Sequence, residues 1–218
     1  MPMTCLAVFD CDGTLVDSAA TICRAMEMAF NDLRITWPGA EATRRIVGLS
    51  LFEAAKTILP GGDDATCLEL AERYKAAFTV LRANGHVEEP LYPGTVEALS
   101  ELEARGWLLG VATGKSDRGL RHCLTAHGLH ARFVTLQTAD RHPSKPHPSM
   151  LHTAAAEAGA THVAMIGDTR FDMLMGVAAG ADPVGVSWGY HEPHELTATG
   201  ARAVATRYAD IPDLLETR

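Results

Sequence analysis

The five cysteines of this chain (Cys5, Cys11, Cys23, Cys67, Cys123) are odd in number and contain no CxxC pair. That spacing argues against both a zinc knuckle and a disulfide framework, so reduced, mostly buried thiols in a cytoplasmic protein are expected. No apolar run approaches the roughly 18 residues that a membrane span requires. The N-terminus has no basic region leading into an apolar stretch, so no signal peptide is expected. Basic residues are in deficit: 19 Lys and Arg against 27 Asp and Glu give a net charge of −8, and Arg44-Arg45 is only a pair. A nucleic-acid partner is therefore not expected, whereas a small anion held by a few local cations is compatible. There is no internal repeat, no low-complexity tract and no signature of oligomeric state. At 218 residues and 47% apolar, the chain can bury a good core in one large or two small domains.

What is present is concentrated at the start. Leu6-Ala7-Val8-Phe9 reads as a short strand buried on both faces, the kind found in parallel sheets. Asp10 and Asp12 follow at its end, with Gly13 supplying a turn. In an open parallel sheet, ligands bind at the carboxyl ends of the strands. Alternate residues point the same way, so both carboxylates can face one site, while Cys11 between them points away. Two like charges this close raise each other's pKa unless a cation or a division of roles separates them.

From Ala19 to Ala83 the pattern is helical. Ala19 to Leu33 repeats Ile22, Met26, Ala29, Phe30 and Leu33 at helical spacing. Pro38-Gly39 breaks it, Glu41 to Val47 resumes it, and Ser50 caps a helix over 51–59. After Pro60-Gly61-Gly62 a long helix runs from Ala65 to Ala83, with Leu68, Ala71, Tyr74, Lys75 and Phe78 on one stripe. From Tyr92 onward strands alternate with helices: strands are expected at 108–112, 133–136, 163–166, 184–186 and 203–205. The alternation predicts a doubly wound α/β domain, residues 1–16 and 86–218, with an all-helical insert, residues 17–85, after its first strand.

The strand ends share one chemistry. The first delivers Asp10 and Asp12, the second Thr113, and the strand at 163–166 delivers Asp168; Lys145 stands at the entry to a helix. Phosphoryl transfer needs a nucleophile, neutralisation of phosphate oxygens, a metal and a proton shuttle. A carboxylate can attack phosphorus, Mg²⁺ suits Asp10 and Asp168, and Thr113 with Lys145 covers the remaining oxygens. Singly, each is an ordinary turn threonine, surface lysine or helix cap; it is their order and placement that carry the signal.

These residues resemble the haloacid dehalogenase superfamily, specifically its phosphatases with a helical cap inserted after the first strand. Asp10-Cys11-Asp12-Gly13-Thr14-Leu15-Val16-Asp17-Ser18 matches the first motif, and Val111-Ala112-Thr113-Gly114 the second. Lys145-Pro146-His147-Pro148 matches the third, and Gly167-Asp168-Thr169-Arg170-Phe171-Asp172 the fourth. Tyr92-Pro93-Gly94 and Gly185-Val186-Ser187-Trp188-Gly189-Tyr190 look like the phosphoglycolate phosphatase branch. The resemblance implies Asp10 as nucleophile and Mg²⁺ ligand, and Asp12 as acid and base whose carbonyl also meets the metal. It implies phosphate contacts from Gly13, Thr113, Gly114 and Lys145. Asp168 would bind Mg²⁺, and Asp172 would orient Lys145 or a metal-bound water. The Lys145-Pro146 bond is expected to be cis. Asp17 and Ser18 are read as the exit into the cap, with hinges near Val16 to Ala19 and Gly85 to Leu91. The substrate implied is a small phosphorylated metabolite, 2-phosphoglycolate first, with Arg44, Arg45 and Ser50 as candidate cap contacts.

Three other readings compete. A β-phosphoglucomutase-like phosphotransferase would usually carry an arginine where Leu51 stands, after Gly48-Leu49-Ser50. A dehalogenase generally lacks the acid that Asp12 supplies, and a non-catalytic module is expected to lose a motif residue. His122, His127 and His130 are read as surface or helix-end histidines, not a metal set. His191 and His194 are placed near the rim of the site.

Overall fold

Leu6 to Phe9 are fully buried, and their alternation splits the core in two. In the computed structural model, which describes residues 4–216, Ala7 and Phe9 join Leu99, Leu102, Leu124, Ile166 and Tyr208 on one face of a sheet. Leu6 and Val8 join Met150, Leu151, Ala154, Met165 and Met175 on the other. A strand with helices over both faces has no polar side to show, which is why its sequence is an unbroken apolar run.

This strand, β1 (Cys5–Phe9), is followed by α1 (Ala19–Asp32), α2 (Ala40–Arg44), α3 (Leu51–Ile58) and α4 (Asp64–Ala83). The chain then alternates: α5 (Thr95–Ala104), β2 (Leu108–Thr113), α6 (Asp117–Ala126), β3 (Phe133–Thr138), α7 (Ser149–Ala158), β4 (His162–Gly167) and α8 (Arg170–Ala179). It closes with β5 (Asp182–Val186), α9 (Pro193–Ala198), β6 (Ala203–Ala205) and α10 (Ile211–Glu216). The six strands form one parallel sheet in the order β3-β2-β1-β4-β5-β6. The chain steps from β1 out to β3, then returns to place β4 on β1's other side. The crevice at the carboxyl ends of β1 and β4 is the switch point where such sheets bind ligands. Among the described residues no helix is long and apolar enough to cross a membrane, and the cysteines are free thiols.

The helical segment has its own core. Met26, Ala29, Phe30, Ile46, Ala55, Ile58 and Leu70 pack together, and Ala25, Ala77 and Leu81 form a smaller cluster between α1 and α4. Asp63 starts α4 by accepting from Thr66 N–H at 2.8 Å. The expected stripe on this helix is only partly a core stripe. Cys67, Leu70, Ala71, Ala77 and Leu81 are the buried ones, whereas Leu68 is exposed, and Leu68, Tyr74, Lys75 and Phe78 line a cavity instead.

The segment enters and leaves through a short paired ribbon. Val16 and Leu91 form an antiparallel bridge, Asp17 N–H donates to Pro90 O at 2.9 Å, and Tyr92 N–H donates to Leu15 O at 3.1 Å. It is also seated on the sheet domain at its far end. Arg45 forms a two-pronged ion pair with Glu195 on α9, one bond at 2.6 Å, and Ser50 N–H donates to Ser144 Oγ at 2.9 Å. The Arg45 pair lowers the Glu195 carboxyl to about 2.

Candidate active site

The chain after β1 curls back on itself. Gly13 N–H donates to Val16 O at 2.9 Å, and Leu15 and Val16 N–H both reach Cys11 O. Gly13 adopts φ +78°, and a Cβ there would fall 2.2 Å from Asp168 Oδ2, so the turn and the close approach both require glycine. This curl sets Asp10 and Asp12 on the crevice floor. Cys11 goes the other way, its Sγ 3.8 Å from Cys123 Sγ in the core.

Asp10 is fully buried. Its Oδ1 accepts from Cys11 N–H at 2.6 Å and from Lys145 Nζ at 3.0 Å, while its Oδ2 has no hydrogen-bond partner among the described residues. Burial pushes its carboxyl up to about 7 despite the Lys145 ammonium, and the nearby charges of Asp172 and Asp12 add to the rise. Asp168, at the end of β4, accepts from Thr14 Oγ1 at 2.7 Å and from Tyr190 N–H at 2.9 Å. Burial, then Asp172 and Asp10, hold it well above the usual carboxylate range.

Lys145 lies in the loop before α7, and the Lys145–Pro146 peptide is cis as expected. Its ammonium is buried, 2.6 Å from Asp172 Oδ1 as well as 3.0 Å from Asp10, and these charges hold its pKa up against burial. Asp172 is fixed by local structure. Thr169 caps α8 in a reciprocal capping box, so Asp172 Oδ2 accepts from Thr169 N–H and Oγ1. That leaves Oδ1 for Lys145.

Thr113, buried at the end of β2, accepts from Lys115 N–H at 3.2 Å. Beside it, a Cβ on Gly114 would sit 2.5 Å from Leu49 O and 2.9 Å from Gly48 O. The turn of the helical insert thus rests directly on this loop. Gly114→Ala is expected to lift that turn, breaking the Ser50–Ser144 contact while leaving the sheet intact. Faster amide exchange at Ser50 with an unchanged core would show it.

The structure adds contacts at this site that the sequence does not reveal. Lys115, its side chain 10% exposed, bridges Asp12 Oδ1 at 2.9 Å to Glu89 Oε1 at 2.6 Å. Ser18 Oγ donates a short hydrogen bond to the same Asp12 oxygen and lies 3.1 Å from Tyr190 OH. Ser18 is therefore part of the site as well as the exit into the insert, a correction to the reading above; Asp17 is exposed. His191 is buried where the two parts meet: Nδ1 accepts from Arg170 N–H, so Nε2 carries the proton toward Arg45 O at 3.3 Å. His194 is exposed. Among the described residues His122, His127 and His130 do not gather into a metal set; His127 contacts Glu89 O at 2.7 Å.

Above this floor is a cavity of about 640 Å³. Asp10, Asp12, Thr113, Gly114 and Lys115 form its base, and α3 and α4 its wall. Of the three candidate contacts in the insert, Ser50 lines it; Arg44 and Arg45 do not, Arg45 being turned onto Glu195.

Asp10, Asp168 and Asp172 place carboxylate oxygens within 4.8 Å of one another, all buried. With Lys145 the one ammonium among them, and Asp10 Oδ2 unpartnered, the set has an excess of negative charge in a dry place. Hard oxygen donors of this kind suit a divalent cation.

A doubly wound sheet carries a buried Asp–Lys–Asp constellation at its switch point. The chain belongs to the haloacid dehalogenase-like hydrolases, whose family profile matches residues 7–186. It is 35% identical over 214 residues to the protein named Probable phosphatase IndB of Dickeya dadantii, covering 94% of this chain and 91% of that one. It is 28% identical over 221 residues to a phosphoglycolate phosphatase of Photobacterium profundum, covering 95% and 94%. A solved hydrolase structure from Pseudomonas syringae superposes with a TM-score of 0.84 at 26% identity, covering 99% of this chain and 98% of that one.

Proposed function

We propose that the chain is a Mg²⁺-dependent phosphatase that hydrolyses a small phosphorylated metabolite through an aspartyl-phosphate on Asp10. The observation that carries this is the asymmetry of Asp10. One oxygen is held by Cys11 N–H and Lys145, and the other is unpartnered at the base of the cavity. A carboxylate pinned by one oxygen can attack with the other.

In this reading Asp10 attacks phosphorus, and the alcohol leaves with a proton from Asp12. Ser18 and Lys115 both engage Asp12 Oδ1, leaving Oδ2 for proton exchange. Asp12 then takes a proton from water, which attacks the phosphorus, releases phosphate and restores Asp10. Thr113, the Gly114 N–H and Lys145 neutralise phosphate oxygens, and Gly13 allows the chain to approach them closely. Asp10, Asp168 and the Asp12 carbonyl would hold Mg²⁺, with Asp172 keeping Lys145 in place; the cation would supply charge neutralisation on the phosphate. Residues 17–85 act as the cap over the core of 1–16 and 86–218, bending at the Val16–Leu91 ribbon to admit substrate and release product.

The test is an acid quench during turnover of a phosphate-labelled substrate. Label should appear on the peptide containing Asp10, in an alkali-labile bond. Label on no peptide, with turnover intact, would remove the covalent step. Since some relatives are named phosphoglycolate phosphatase, 2-phosphoglycolate is the reference compound. A phosphotransferase is the second reading, disfavoured by Leu51 on the cavity wall, where a second phosphate would need a cation.

Cation binding should depend on pH in a set direction. Asp10 keeps its proton up to about 7, and a cation must displace it. Mg²⁺ affinity, followed by calorimetry on either side of that value, should fall at least about tenfold per pH unit on the acid side, since Asp168 is raised as well.

A further inference from the structure

The cavity wall and its charges point to the organic part of the substrate. We propose, resting on the phosphatase reading, that the site selects phosphate monoesters with an apolar carbon body larger than that of a two-carbon acid. Short phosphorylated acids such as 2-phosphoglycolate are disfavoured.

Three observations carry this. The first is the wall: Leu49, Leu51, Phe52, Leu68 and Phe78 of the insert line the space above Asp10 and Thr113. Leu68 is 54% exposed, an apolar side chain left open to the cavity and not sealed into the insert's core. Apolar surface of that kind gains from covering by an apolar ligand.

The second is the state of the cations. A carboxylate next to the phosphate would need one, and the cation on the cavity floor, Lys115, is already held by two carboxylates, Asp12 and Glu89. Lys75 pairs with Glu72 at 2.7 Å, and Arg45 is locked on Glu195. Arg82 and Arg118 line the cavity without an ion pair among the described residues, but they engage the exposed rim: Arg82 lies over the Phe78 ring and Arg118 donates to Thr79. A short acid buried beside the phosphate would lose its hydration without a partner in return.

The third is size. About 640 Å³ falls in the range that holds a ligand of many heavy atoms. This is the volume with the insert already seated, Leu49 O resting against Gly114 and Ser50 bonded to Ser144. A two-carbon body would leave most of the wall uncovered.

The experiment measures phosphate release by the full chain with Mg²⁺ from acetyl phosphate, 2-phosphoglycolate and benzyl phosphate. Acetyl phosphate tests the core chemistry, since its body is too small to reach most of the wall. Benzyl phosphate should exceed 2-phosphoglycolate in kcat/KM by at least about tenfold. Leu51→Arg, which places a cation at the start of α3, should shift that ratio toward 2-phosphoglycolate by a similar factor. If acetyl phosphate is hydrolysed and 2-phosphoglycolate matches or beats benzyl phosphate, this inference is overturned while the phosphatase reading stands. A folded Leu51→Arg with an unchanged ratio also overturns it. If none of the three is hydrolysed, the phosphatase reading itself fails and takes this inference with it. The comparison in the unmodified chain does not depend on any variant folding.

Discussion

Asp10→Asn is expected to abolish phosphate release, by on the order of 10⁴-fold or more, as loss of a nucleophile does, and to leave a folded protein. Asparagine keeps the shape, and its carbonyl can still accept from Cys11 N–H and Lys145. What it loses is the charge at the unpartnered Oδ2. The same substitution should raise the thermal stability of the metal-free protein above neutral pH. Burial lifts the Asp10 carboxyl from 3.8 to about 7, so between those values the native state holds a proton that the unfolded chain has lost. Stability therefore declines as pH rises through that interval. Asn removes that ionisation and with it Asp10's share of the decline, leaving the share of Asp168, whose carboxyl is also raised by burial. Paired activity assays and melting curves across that interval check both halves; substantial residual turnover would reject Asp10 as nucleophile.

Lys145→Met should be the most damaging change to the fold of the site. The ammonium is fully buried and joined to both Asp10 and Asp172. Removing one partner of a buried pair leaves uncompensated charge and costs about 3–5 kcal/mol. Denaturant titration of the metal-free variant reads that loss, and Lys145→Met combined with Asp172→Asn should recover part of it, because the stranded carboxylate is gone. Recovery of stability would not bring back activity, since Asp10 would still lack its counter-charge. A double variant no more stable than the single one would show that Asp172 does not hold Lys145 as the geometry has it.

The core of the site is legible in the sequence because most of its parts sit at the end of an apolar run, Lys145 in its loop being the exception. Asp10, Thr113 and Asp168 each close a buried strand, so a parallel sheet brings them to one edge whatever the loops do. The Thr169–Asp172 capping box is legible for the same reason, being a local pattern. The insert is harder to read. Helical spacing marks Leu68, Tyr74 and Phe78 as one stripe, but an apolar stripe against a core and one against a cavity look alike to periodicity. The arginine pair drew attention as charge, yet Arg45 is answered by Glu195 across 150 positions of chain, which no local pattern reveals. Lys115 after Thr113-Gly114 resembles a solvated cation; only the return of Glu89 beside Asp12 gives it two carboxylate partners. Ser18 became a site residue because the chain after β1 curls, a tertiary event and not a motif.

The ribbon that joins Val16 to Leu91 puts both chain connections of the insert side by side, its other contacts with the sheet domain being non-covalent. Its two ends are bonded neighbours, so a short turn could splice residue 16 to residue 91 without stretching β1 or moving α5. Closing a small loop there costs little chain entropy. The residues that break the phosphate bond and the wall that reads the carbon body can thus change on separate evolutionary schedules. A new helical unit grafted at the same splice would meet the same Asp10, Thr113, Lys145 and Asp168, and give the old chemistry a different customer.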